Sequence, residues 1–184
     1  MHQVHRLSER LLVRELDPGD VNAVHAIYGD PRATEHLSFD PRTREQVEQI
    51  VTRSIKAAHA DERREYALAV VEQTGGDLVG FGRLALDPHQ PGAATMGFAL
   101  RASSWGRGYG LETVRLLLAV AFEDLGLHRV WGARSPANEA SARTMERAGM
   151  IVEGRIREHI QRGGSWRDSI VHSVLDHEWQ SVNK

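Results

Sequence analysis

Trp105-Gly106-Arg107-Gly108-Tyr109-Gly110 stands between a strand-like run and a long helical one. Before it, residues 94–100 read as a strand. After it, Leu111, Val114, Leu118, Phe122 and Leu125 recur on one face of a helix over about 108–125, stopped by Gly126. This stripe is core rather than pocket. A strand, a glycine-rich turn and a helix bring free backbone N–H groups and the positive end of the helix dipole into one small volume, which is an anion site. Because Gly106, Gly108 and Gly110 alternate, no Cβ shields those amides from a phosphate oxygen, and Arg107 adds charge. Glycine spacing alone also fits other nucleotide turns and plain tight turns.

The surroundings separate these readings. Upstream, residues 10–16 form a strand closed by Asp17-Pro18-Gly19-Asp20, and Val21, Val24, Ile27 and Tyr28 start a helix. Gly29-Asp30-Pro31 breaks that helix, and a further helical turn is expected over 33–37. Thr43-Arg44-Glu45-Gln46 is a capping box that opens a third helix. Residues 66–71 and 78–86 then make a hairpin around Thr74-Gly75-Gly76-Asp77, and 94–100 completes a three-strand meander. Downstream, 127–134 is a strand placed parallel to 94–100 by the helical crossover. Asn138 caps a helix that ends at Gly149, and a last hairpin runs through 150–159 and 166–177 around Arg162-Gly163-Gly164. A dinucleotide-binding fold would need an early parallel βαβ unit, whereas this turn follows an antiparallel meander. No Gly-x-x-x-x-Gly-Lys-Ser/Thr string occurs, so a P-loop is excluded.

The 184 residues fit a single domain over 1–184, and 41% hydrophobic with 26% charged residues is the composition of a globular protein. With 23 basic against 25 acidic residues and no long block of either sign, neither nucleic acid nor membrane is expected as a partner. There is no cysteine, which excludes disulfides and a thiol nucleophile. The 10 histidines are scattered without ligand spacing, so no metal is expected. An amino terminus without an apolar core and the lack of a membrane-length apolar run lead to a cytoplasmic expectation. A homodimer is the default for a soluble oligomer.

In order along the chain, Arg10-Leu11-Leu12-Val13-Arg14, Met96-Gly97-Phe98-Ala99-Leu100, the turn, Leu127-His128-Arg129-Val130, Asn138-Glu139-Ala140-Ser141, Arg147-Ala148-Gly149-Met150 and Glu153-Gly154-Arg155 form one pattern. The chain resembles the GNAT acetyltransferase superfamily over nearly its whole length, and within it the ribosomal-protein N-terminal acetyltransferases. The resemblance implies an α+β fold with a mostly antiparallel twisted sheet of about seven strands. That sheet is splayed at the parallel fourth and fifth strands, with helices on both faces. It implies acetyl-CoA as cosubstrate, with the pyrophosphate at Gly106, Arg107, Gly108, Tyr109, Gly110 and Leu111. Phe98, Ala99 and Leu100 would offer backbone groups to the pantetheine arm, and Asn138 and Ser141 would touch the cofactor.

Two positions depart from the pattern. Trp105 replaces the Gln or Arg of many members, and Met145 stands where many carry the tyrosine that protonates the leaving thiolate. Ser141, at i+3 from Asn138 near a positive helix end, is the expected replacement acid. Asn138 is also an ordinary N-cap residue. The implied reaction is direct attack of a primary amine on the thioester in a ternary complex. The acceptor is a protein N-terminus, a small amine or an amine-bearing antibiotic. The preferred base is Glu158, with His159, Glu35 and His36 as competitors; Trp166 and Asp168 are read as structural or cleft-wall residues. The competing class is a non-catalytic acyl-CoA-binding module on the same fold.

Overall fold

The computed structural model describes residues 3–179. Eight strands form a mixed sheet: β1 (His5–Leu7), β2 (Leu11–Glu15), β3 (Glu65–Glu72), β4 (Leu78–Leu86), β5 (Ala93–Leu100), β6 (Arg129–Arg134), β7 (Ile151–Arg162) and β8 (Ser165–Leu175). Their spatial order is β1-β2-β3-β4-β5-β6-β8-β7, antiparallel throughout except for the β5–β6 pair. The strand beyond the expected seven is β1, three residues folded back on β2 through a turn in which the Ser8 amide donates to the Leu11 carbonyl at 2.8 Å. So short a run carries no readable periodicity.

The helices are α1 (Val21–Tyr28), α2 (Pro31–Thr34), α3 (Arg44–Ala58), α4 (Tyr109–Ala119) and α5 (Glu139–Arg147). Local chemistry sets their ends. Thr43 and Gln46 exchange side-chain and backbone hydrogen bonds at 3.3 and 3.0 Å, the capping box expected for α3. The helical turn expected over 33–37 begins earlier, at Pro31. There the missing N–H is no loss, and the Asp30 carboxylate accepts from the Arg32 amide at 2.9 Å. α4 does not end at Ala119. It widens into a π-helical turn over Val120–Asp124, and Gly126 then reverses the chain at φ 62°.

Two hydrophobic layers sandwich the sheet. Along β3, Leu68 and Val70 pack with α4 and α5, while Ala67, Ala69 and Val71 pack with α1 and α3, as a period of two requires. α4 seats closely because β4 offers Gly82: a Cβ there would lie 2.8 Å from Leu117, which is fully buried.

The parallel pair is short. β5 and β6 are in register only at Ala93–Arg129, Ala94–Val130 and Thr95–Trp131. Beyond Thr95 each strand keeps its outer partner: β5 follows β4 to Leu100, and β6 follows β8 to Arg134. The sheet thus divides into two halves that part at this seam, which is the expected splay. The β5 edge facing the gap past Thr95 has no strand to pair with, and backbone polar groups in that position call for another partner.

Candidate active site

The glycine turn follows β5 through a short 3-10 segment, Ala102–Ser104. Gly106 and Gly108 adopt left-handed φ angles of 74° and 82°, and Gly108 is the N-cap of α4. The Glu112 amide donates to the Gly108 carbonyl at 3.3 Å, so the amides of Tyr109, Gly110 and Leu111 are the open donors at the helix start. Gly110 has ordinary helical geometry and packs toward α5. A Cβ on it would meet Thr144 at 3.6 Å and Leu100 at 3.8 Å.

Two carboxylates fasten this turn. Tyr109 is buried, its ring flanked by the guanidinium groups of Arg10 at 4.8 Å and Arg107 at 4.6 Å, and its hydroxyl donates to Glu72. Arg107 pairs with the same Glu72 at 2.9 Å, so its charge is held against the flank of the turn. The bond from Tyr109, joined by Arg107, holds the Glu72 carboxyl below its ordinary pKa. On the other side Glu112 accepts from the Ser8 hydroxyl (2.7 Å), the Arg10 amide (2.8 Å), the Arg10 Nε (2.9 Å) and the Leu11 amide (3.1 Å). Burial pushes the Glu112 pKa up, and these bonds outweigh it, leaving a net depression. Of the residues expected to meet cofactor here, Tyr109 and Arg107 therefore have side chains engaged with the protein.

A cavity of about 550 Å³ opens at the splay. From one face it is lined by Asn138 and Ser141 of α5, along the seam by Phe98 and Ala99, and from the other face by Tyr28, Phe39 and Ile50. It therefore passes through the sheet. Asn138 is the N-cap, its Oδ1 accepting from the Ser141 amide at 3.0 Å. Ser141 is half-buried, whereas Met145, one turn on, is buried in the core against Gly132. Leu100 is not among the lining residues, and its carbonyl accepts from Trp105 Nε1 at 3.2 Å. That bond gives Trp105 a structural use although half of its surface is exposed.

The structure does not bring Glu158 to the cavity. Glu158 lies in an irregularity of β7 between Ile156 and Ile160, exposed, at φ 49°, with its amide donating to Asp168 at 2.8 Å. The bulge changes the alternation, so that His159 and Ile160 line the cavity. His36 also lines it; Glu35, His36 and Trp166 border an adjoining groove. Asp168 supports the bulge, pairing with Arg155 as well as the Glu158 amide. Tyr28, Arg42, Arg53, Glu65, Arg83 and Arg167 also line the cavity and carry no motif in the sequence, because they come from segments far apart in the chain. Among the described residues no cluster of metal-ligating side chains occurs, and no helix is long and apolar enough to cross a membrane.

The arrangement fits an elongated anionic cosubstrate. Open amides stand at a positive helix end, Gly110 sits against α5, and the unpaired β5 edge at Phe98 and Ala99 lines one cavity with Ser141. Comparison with known proteins shows the family and the fold. The acetyltransferase (GNAT) domain family matches residues 10–151. The chain is 23% identical over 178 residues to YnaD of Bacillus subtilis (strain 168), an uncharacterized N-acetyltransferase, covering 96% of this chain and 99% of that one. Its fold matches ribosomal-protein-S5-alanine acetyltransferase from Vibrio fischeri at a TM-score of 0.80 and 21% identity, over 96% of this chain and 99% of that one. It also matches spermidine N-acetyltransferase from Vibrio cholerae, solved with CoA and spermine, at a TM-score of 0.81 and 19% identity, over 93% and 98% of the two chains. The chain is an acetyltransferase and belongs to the GNAT family.

Proposed function

We propose that the protein transfers the acetyl group of acetyl-CoA directly to a primary amine, with both substrates meeting at the splay. The observation that carries this is the continuity of the cavity, from Asn138 and Ser141 on one face of the sheet to Tyr28 and Phe39 on the other. Bound there, acetyl-CoA supplies an activated thioester. The chain's own residues have three tasks. The amides of Tyr109, Gly110 and Leu111 hold the pyrophosphate, aided by the helix dipole, and the free edge at Phe98 and Ala99 aligns the pantetheine amides. Such positioning can lower a barrier by roughly 7 to 11 kcal/mol in well-oriented systems. Ser141 gives a proton to the departing thiolate at the amino-terminal end of α5. Buried Met145 has no proton to give.

His159 takes the proton of the attacking amine, since it lines the cavity and Glu158 does not. A base of this kind contributes about 10²- to 10⁴-fold. Spermidine and a ribosomal-protein alanine are acceptors named for the structural neighbours, and a primary amine is the class they share. A thiol-release assay with acetyl-CoA and a panel of amines tests the reading. Coenzyme A should also raise the melting temperature, by the equivalent of about 2.7 kcal/mol at a hundredfold excess over Kd. No shift with coenzyme A and no thiol release would refute it.

A further inference from the structure

The cavity lining carries five arginines, Arg42, Arg53, Arg83, Arg134 and Arg167, against one carboxylate, Glu65. This bias is local, because the chain as a whole has slightly more acidic than basic residues. The carboxylate is also spoken for: Glu65 pairs with Arg83 through both oxygens, at 3.0 and 3.1 Å. Among the described residues the remaining four arginines form no ion pair across the cavity. Arg134 donates through Nε to His172 Nε2 (3.0 Å) and through Nη1 to the carbonyls of Ser135 and Pro136, just before the start of α5.

The three others surround the opposite end. The Arg42 guanidinium lies over the Phe39 ring at 4.7 Å, and its Nε is buried without a hydrogen-bond partner. Arg167 holds the loop through the carbonyls of His36 (3.2 Å) and Leu37 (3.4 Å), and its Nε is likewise buried and unpartnered. Arg53 projects from α3 on the exposed side of the same wall. Buried donors on a cation without a counter-charge are costly, and the chemistry that satisfies them is an anion with oxygens that match the guanidinium fork.

We propose that the acceptor is a primary amine tethered to a carboxylate or phosphate, gripped by Arg42, Arg53 and Arg167 while its amine points toward Ser141. This rests on reading the splay as the site of transfer. The same arginines reject polycationic amines by like-charge repulsion. They also favour the neutral, nucleophilic form of an amine held beside them, because neighbouring positive charge disfavours the ammonium. A cleft built this way needs no strong carboxylate base, in keeping with the position of Glu158 outside it.

The test is thiol release from the full chain with acetyl-CoA and acceptors matched in size. One arm uses tetrapeptides with free N-termini carrying Asp-Glu, Asn-Gln or Lys-Arg at the second and third positions. The other uses glutamate, glutamine and spermidine, so the arms distinguish a peptide terminus from a small molecule. In at least one arm the acidic member is expected to exceed its neutral counterpart by tenfold or more in kcat/KM, with spermidine silent. Arg53→Glu, at an exposed position, should erase that preference while the melting shift caused by coenzyme A persists; Arg42→Gln should reduce it. Preference for spermidine or the Lys-Arg peptide, or an acidic preference untouched in both variants, overturns the proposal alone. Silence from every amine overturns the transfer reading and this inference with it.

Discussion

Gly108 opens α4 at a left-handed φ of 82°, and a Cβ there would stand 3.3 Å from the Arg10 guanidinium. That conformation costs a non-glycine residue roughly 1–2 kcal/mol, more if it is β-branched. Gly108→Val should weaken coenzyme A binding at least tenfold by calorimetry, and wild-type affinity would disprove the assignment of the turn. Ser141→Ala should lower kcat about tenfold or more with Kd for coenzyme A unchanged, and an unaltered kcat would reduce Ser141 to scaffold. His172 offers a separate, structural prediction. It is fully buried, its Nε2 accepts from Arg134, and burial followed by the Arg134 charge lowers its pKa from the ordinary 6.5. The unfolded chain then binds the extra proton first, so stability is complete above about pH 6.5 and falls as pH drops toward the lower native pKa. Urea titrations at pH 7.5 and 5.5 should show this loss, and His172→Gln should diminish it; equal losses in the two proteins would contradict the account.

Elements were legible where a local rule fixes them. The capping box of α3, the Asn138 cap of α5 and the hairpin at Gly76 are each set by a few adjacent residues. β7 was legible as a strand but not in its facing, because an irregularity between Ile156 and Ile160 breaks its alternation and leaves Glu158, the base preferred from the sequence, outside the cavity. No propensity rule announces such a bulge. The attachment of α4 to its surroundings was equally invisible, since Glu112 reaches back about a hundred residues to Ser8, Arg10 and Leu11. Hydrogen bonds to a charged group contribute about 1.5–3 kcal/mol each, and Arg10 is partly exposed, so Glu112→Ala should cost about 2 kcal/mol in urea unfolding. A change below a few tenths would show that the clamp is idle.

The sheet is two half-sheets sharing a three-residue seam, and the proposed transfer lies where they part. On one side of that gap the local geometry was readable, because the turn before α4 and the Asn138 cap of α5 are each set by adjacent residues. The other side was not, because Tyr28, Arg42, Arg53, Glu65, Arg83 and Arg167 meet only after α1, α3, β3, β4 and β8 have packed. In the proposed mode of binding, one elongated cosubstrate occupies both the helix start and the strand edge. Amide hydrogen exchange with and without coenzyme A tests this most directly. The amides of 109–111 and of 98–99 should become protected together on binding, and protection confined to one segment, or absent from both, would rule out that mode of binding.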